Sequence, residues 1–319
     1  MNLNVLNFMT IKKTGMTALL CIISIGVFLG FFSTNIINNP DLQNYKVLLD
    51  NCSLFQPCAV EPMFWFIADM ANISNTGVWG LYSIHICIIL FFLSRAGDVI
   101  FKKGSALKLL FPFIWFLSFG ILHGLVQIRF GLAGAFSVYA IALADSRKKA
   151  IFFAITGFIT HFSTALSMLV VSVRGHSRIF LLFLIFCIFF VVYFLSSNSF
   201  TGSLPSFVAA RLAGYLTGSE TVSTPKILFG LIFFIYLVGN SLLRFLPAQY
   251  MIAALGFMPY FAAPGLEILT RVGVVFQYFL LLIMLRDYRK RFIPLLPVFI
   301  FFLVKIISSV VFFFQVLIS

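Results

Sequence analysis

Three arginines stand where a membrane-spanning reading of the chain leaves them unexplained: Arg129 after Leu125-Val126-Gln127-Ile128, Arg211 in a polar outer segment, and Arg271 opening Arg271-Val272-Gly273-Val274. Arginine within or at the edge of a span is costly unless an anion meets it. The bland partners are lipid phosphate or, for Arg271, Glu267 one helical turn back. The sharper partner is a phosphate or diphosphate gripped by the guanidinium fork through two parallel hydrogen bonds, which lysine does less well. His161, within Thr160-His161-Phe162-Ser163-Thr164, adds an imidazole that can take a proton near pH 7. His123, near the outer end of its span, is its nearest rival, while His85 falls inside a span and His176 in an inner loop. No Cys/His cluster has metal-ligand spacing, so no metal is expected.

The elements that must position these residues are membrane helices. With 61% hydrophobic and 10% charged residues and a mean hydropathy of +1.09, the 319-residue chain is too apolar for a soluble globule. Matching apolar runs to a hydrocarbon core of roughly 30 Å gives crossings near 14–33, 77–94, 108–126, 129–145, 149–161, 162–173, 179–196, 227–243, 247–263, 270–285 and 293–315. The expected fold is all-α and polytopic, about 10–11 membrane helices in one integral membrane domain over 1–319, with outer segments 34–76 and 197–226. Starting with the N-terminus inside puts Lys12, Lys13, Arg95, Lys102, Lys103, Lys108, Arg147, Lys148, Lys149, Arg289 and most other bases in inner loops. Outside are Lys46, Arg129, Arg211, Lys226 and Arg271, with Lys305 in the last span and most acids outside too. The net charge of +13 is therefore topogenic and lipid-directed rather than a nucleic-acid surface.

Two local patterns refine this plan. As one helix, 149–173 would separate Lys149 and Arg174 to opposite faces; a break at Thr160–Thr164 returns both ends inside and leaves His161 at the lip of a cavity. A single tilted helix with a buried His161 is the alternative. After Pro62, a favourable first helical residue, Phe64, Ile67 and Met70 recur at helical spacing, as expected of a helix lying on the outer leaflet. Cys52 and Cys58 share the first outer segment, where a disulfide or two free thiols are equally compatible; Cys21, Cys87 and Cys187 read as buried apolar residues. The first apolar run lacks a small-residue cleavage site and reads as a span rather than a signal peptide, and no internal repeat is evident.

The order of short motifs carries a resemblance. Asp41-x3-Tyr45 with Glu61-Pro62, then Arg129-Phe-Gly-Leu-Ala, then His161-Phe-Ser-Thr-Ala-Leu, then Arg271-x6-Tyr278-Phe279 resembles the EpsG/Wzy family of bacterial polysaccharide polymerases over roughly residues 35–290. The resemblance implies a GT-C-like multi-span glycosyltransferase of the bacterial inner membrane. It would join undecaprenyl-diphosphate-linked oligosaccharide units into O-antigen, capsule or exopolysaccharide on the outer face, alongside a flippase and a chain-length regulator. It implies His161, Asp41 and Glu61 as catalytic positions, Arg129 and Arg271 at the diphosphate, and Tyr45 and Tyr278 at the substrate. Arg211 lacks a family counterpart and joins the diphosphate group by its charge alone. A base that takes the acceptor hydroxyl proton and arginines that stabilise the leaving diphosphate make this chemistry feasible without a cofactor. An O-antigen ligase would share it. A lipid-linked sugar transporter would also account for a broken helix and edge arginines.

Overall fold

The computed structural model describes residues 3–35, 37–55, 61–101, 105–143, 146–173, 177–196, 221–264 and 270–318. Arg211, Cys58, Glu267, His176 and the 197–220 part of the second outer segment lie outside them. Among the described residues every regular element is helical, because a helix satisfies its own N–H and C=O groups where hydrocarbon offers no partner. In chain order the elements are α1 (Leu3–Asn35), α2 (Leu42–Asn51), α3 (Pro62–Ile73), α4 (Gly77–Ile100), α5 (Leu107–Leu125) and α6 (Ile128–Ala142). Next come α7 (Arg147–Thr160), a 3-10 turn at Phe162–Thr164, α8 (Ala165–Val173), α9 (Arg178–Ser196) and α10 (Thr224–Leu242). The chain ends with α11 (Gln249–Ala254), α12 (Pro259–Ala262), α13 (Thr270–Asp287) and α14 (Phe292–Phe312), which runs on through a π-turn at Phe313–Leu317.

Among the described residues five segments are long and apolar enough to cross a membrane: Thr17–Asn35, Gly77–Ile100, Leu107–Leu125, Thr224–Leu242 and Phe292–Gln315. The protein is thus an all-α, multi-pass membrane protein, with shorter helices between these crossings. α6 is the central one. Almost every side chain on it is buried, and it packs against α4, α7, α5 and α13, as expected of a helix that is apolar all round. A Cβ at Gly134 would come within 2.6 Å of the Tyr278 ring, so the close approach of α13 to α6 depends on glycine there.

Three sequence expectations change. The run 247–263 is not one helix but α11 and α12 around a turn at 255–258. Pro259 has no N–H to continue the α11 ladder, and Gln277 Nε2 donates to the carbonyl of Gly256 at 2.9 Å. The first outer segment contains α2, which sequence reading left without a helix. α3 does follow Pro62, and it buries Phe64, Ile67, Ala68 and Ala71 against protein, while Met70 stays on the exposed side with Phe66 and Ile73. The break in 149–173 is present: α7 ends at Thr160, His161 is extended, and Thr164 donates its N–H and Oγ1–H to the His161 carbonyl at 3.1 and 3.0 Å.

Candidate active site

α6 and α7 stop short. With 15 and 14 residues they extend only ~22 and ~21 Å at the helical rise, against a hydrocarbon core of roughly 30 Å. The far end of α7 bears Arg147, Lys148 and Lys149. That basic face also carries the Arg95–Asp98–Lys108 cluster (3.0 and 2.7 Å) and the Arg286–Asp287 pair (2.7 Å), so its acids are tied to local bases. The opposite ends of α6 and α7, with the first described turn of α13, surround a recess sunk below that end of the molecule. A cleft of about 150 Å³ opens there, lined by Asp41, Tyr45, Gln127, Arg129, Phe130, His161 and Arg271.

Arg129 sits in the first turn of α6, where the positive end of the helix dipole adds to its charge. Its guanidinium donates to Glu61 Oε2 at 2.7 Å and lies 5.8 Å from the ring centres of both Tyr45 and Phe64. Glu61 precedes α3 at its N-cap, makes no cap hydrogen bond, and is buried. Its carboxylate therefore fixes Arg129 rather than facing the cleft. Arg271 is exposed at the cleft, and among the described residues no carboxylate lies within ion-pair distance of it.

Asp41 occupies the N-cap position of α2 without a cap hydrogen bond from its side chain, which leaves the carboxylate to the cleft. Burial pushes the carboxyl above the ordinary range, and the nearby Arg271 and Arg129 charges only partly oppose that. Tyr45, one turn on, is buried and its phenol is likewise raised by burial, against the pull of Arg129. His161 turns Nδ1 toward Ser163, whose backbone N–H donates at 3.3 Å and whose Oγ lies at 2.8 Å. A backbone N–H can only donate, so Nδ1 is the accepting nitrogen and the neutral ring carries its proton on Nε2.

Asn39 ties these pieces together. The two N–H bonds of its Nδ2 are shared among Ser33 Oγ (3.1 Å), Tyr82 Oη (2.9 Å) and the Leu125 carbonyl (2.7 Å), and its Oδ1 accepts the Asp41 N–H (3.0 Å). One buried amide thus joins α1, α4, the end of α5 and the turn that presents Asp41. Asn39→Leu should orphan several of these groups at a cost of about 1–3 kcal/mol each. We expect a clearly lowered midpoint in a thermal melt of the purified protein; an unchanged midpoint would show that water replaces the amide.

The structure brings five sequence-derived site residues to one cleft: Asp41, Tyr45, Arg129, His161 and Arg271. Tyr278 goes elsewhere. It is fully buried two turns along α13, hydrogen-bonded to His123 Nδ1 and packed on Trp115 and Phe119. His123 is buried too, screened from the cleft by Phe130, so it does not compete with His161 for a place there. Gln127 and Phe130 were missed, although they flank Arg129 in the sequence. Among the described residues no group of three or more His, Cys, Asp or Glu side chains could hold a metal ion. Cys52 is disulfide-bonded, whereas Cys21, Cys87 and Cys187 are free; contrary to the sequence reading Cys21 and Cys187 are exposed and Cys87 is half-buried, because they lie on outward faces of apolar helices.

Two arginines, a histidine and one aspartate lining a single cleft suit an anionic group beside a hydroxyl that loses its proton. Comparison with known families gives one match, described as the EpsG family, across residues 18–319. The chain belongs to the EpsG family. Membership supports a polysaccharide-polymerase role in general terms and a lipid-linked polysaccharide substrate. No curated protein and no solved structure matches this EpsG-family chain.

Proposed function

We propose that this protein joins undecaprenyl-diphosphate-linked oligosaccharide repeat units into a longer polysaccharide, such as O-antigen, capsule or exopolysaccharide. The observation that carries the reading is the convergence of Arg129, Arg271, His161 and Asp41 on one recess below a membrane face. The positive-inside rule supports a cytoplasmic basic face and N-terminus, and with them a cleft on the outer side of what we take to be the bacterial inner membrane.

In the proposed reaction the hydroxyl oxygen of an acceptor sugar attacks the anomeric carbon of the donor sugar. The bond from that carbon to the diphosphate oxygen breaks, and the electron pair leaves with the diphosphate. Arg271 and Arg129 hold the departing charge. His161 donates its Nε2–H to a phosphate oxygen, and Asp41, whose carboxyl is held above its usual range, takes the hydroxyl proton. Glu61 acts through Arg129 and is a positioning residue. Arg211 stays a third proposed cation, Tyr45 a proposed sugar contact, and a flippase and chain-length regulator the proposed partners.

The experiment is reconstitution of the purified protein in liposomes with a synthetic undecaprenyl-diphosphate repeat unit. A ladder of integral repeats, with one undecaprenyl diphosphate released per linkage, is the expected product. Transfer of a single unit to added lipid A core, without a ladder, would instead identify a ligase.

A further inference from the structure

Among the polar side chains that line the cleft, Gln127 alone has no task in the proposed reaction. Its neighbours Val126 and Ile128 are buried, whereas Gln127 is half-buried with its side chain at the cleft wall. The residue occupies the N-cap position of α6, yet its side chain makes no cap hydrogen bond there. Among the described residues the amide has no other hydrogen-bond partner either. Two N–H donors and a carbonyl acceptor are thus left to whatever enters the cleft.

The backbone that carries this amide is fixed. Gln127 donates its N–H to the Leu122 carbonyl at 2.8 Å, and its own carbonyl accepts the Gly131 N–H at 3.1 Å. A Cβ at Gly131 would overlap the His123 carbonyl, so the turn from α5 into α6 is as tight as glycine permits. Asn39 sets the position of that turn relative to the proposed base. Its Nδ2 holds the Leu125 carbonyl, two residues before Gln127, and its Oδ1 holds the Asp41 N–H. Gln127 and Asp41 therefore reach the cleft from two segments clamped by one buried side chain, whereas His161 and Arg271 come from the end of α7 and the start of α13. The amide stands on the Asp41 side, where the acceptor hydroxyl would lose its proton.

The chemistry of the amide narrows what it binds. It is neutral, so it adds little to the grip of two guanidinium groups on a diphosphate, and it cannot take a proton. It can donate and accept at once, which matches a sugar hydroxyl. A cleft of about 150 Å³ falls well below the roughly 300 Å³ or more of pockets that enclose a drug-sized ligand, so it admits the reacting ends of the substrates rather than a whole repeat unit. Groups that meet its wall are those beside the bond being made. Neighbouring hydroxyls of a sugar ring are chemically alike, and the choice between them rests on orientation. We propose that the Gln127 amide binds the acceptor sugar through the hydroxyl next to the one that attacks, and so decides which hydroxyl Asp41 deprotonates and which linkage forms. The inference rests on the polymerase reading and adds to it the residue that sets acceptor specificity.

The test is a competition in the reconstituted assay. The undecaprenyl-diphosphate repeat unit of the cell's own polysaccharide competes with units that lack, one at a time, the hydroxyls flanking the linkage position. In each dimer the acceptor is the unit still attached to lipid, which fragmentation mass spectrometry identifies, while NMR of the polymer reads the linkage. The wild-type protein should favour the natural acceptor over one of the deoxy units by roughly five- to tenfold, the usual contribution of a hydrogen bond between neutral groups. Gln127→Leu keeps the bulk and should melt like the wild type, because the amide has no partner inside the protein. It should use the natural acceptor less well by a similar factor, show no preference between the units, and form a second linkage beside the natural one. Such loss of preference is the coupling expected of groups in contact. Indifference of the wild type to both deoxy acceptors would overturn the proposal whatever the variant does. So would an undiminished preference in Gln127→Leu, or a preference lost only for deoxy units that act as donors. Those results sink this inference alone; no dimers from the wild type with the natural unit would remove the polymerase reading with it.

Discussion

Arg271→Ala should lower turnover by about 10²–10³-fold, the usual loss when one preorganised donor to a developing anion is removed. Protein abundance and thermal stability should stay near wild type, because Arg271 is exposed and no described carboxylate depends on it. Arg271→Lys should recover little, since an ammonium cannot reproduce two parallel hydrogen bonds to adjacent phosphate oxygens. Cells that carry Arg271→Ala should accumulate single repeat units on the lipid carrier. Wild-type chain lengths in that strain would reduce Arg271 to a lipid anchor. Arg129→Ala would fail for two reasons at once, because it also leaves the buried Glu61 carboxylate without its 2.7 Å partner. The double variant Arg129→Ala, Glu61→Gln separates them: stability should return and turnover should not. If turnover returns with stability, Arg129 serves the fold alone.

That coupling marks where sequence reading stops. Arg129, His161 and Arg271 were legible because each interrupts an apolar run at the end away from the basic loops, and a membrane sorts such ends onto one face. Asp41 and Tyr45 were legible only through the order of motifs. The Glu61–Arg129 pair joins residues 68 apart in sequence, and no periodicity reports a contact between an outer segment and the mouth of a span. Tyr278 was misplaced for a simple geometric reason. Seven residues after Arg271 keep it on a similar face of α13 but ~10 Å deeper along the axis, in the core with His123. The run 247–263 misled because its apolar composition conceals Pro259 and the glycine at 256, and hydropathy cannot distinguish a crossing helix from two short ones buried in protein. α2 was overlooked for the opposite reason. It is too polar to stand out in a chain this apolar, although it presents two cleft residues.

Asp41→Asn should abolish transfer more completely than any change at His161, because the amide keeps the shape of the carboxylate but cannot take the hydroxyl proton. Loss of a general base costs about 10²–10⁴-fold. His161→Gln should retain a measurable fraction of turnover, since its amide N–H can replace the Nε2–H donor, whereas His161→Ala should lose that contact. The order expected from a reconstituted assay is thus wild type, His161→Gln, His161→Ala, Asp41→Asn. The pH profile assigns the proton. Only the ionised Asp41 can act, and burial raises its pKa above the ordinary carboxylate range, so turnover should fall as pH drops toward that raised value and level off above it. His161→Gln should keep this acidic limb, and the residual activity of Asp41→Asn should lack it. A histidine base makes the opposite forecast: the limb would vanish in His161→Gln, which would be as inactive as His161→Ala. That result would require Nδ1 to leave Ser163 during the reaction, and Ser163→Ala would then raise activity instead of lowering it.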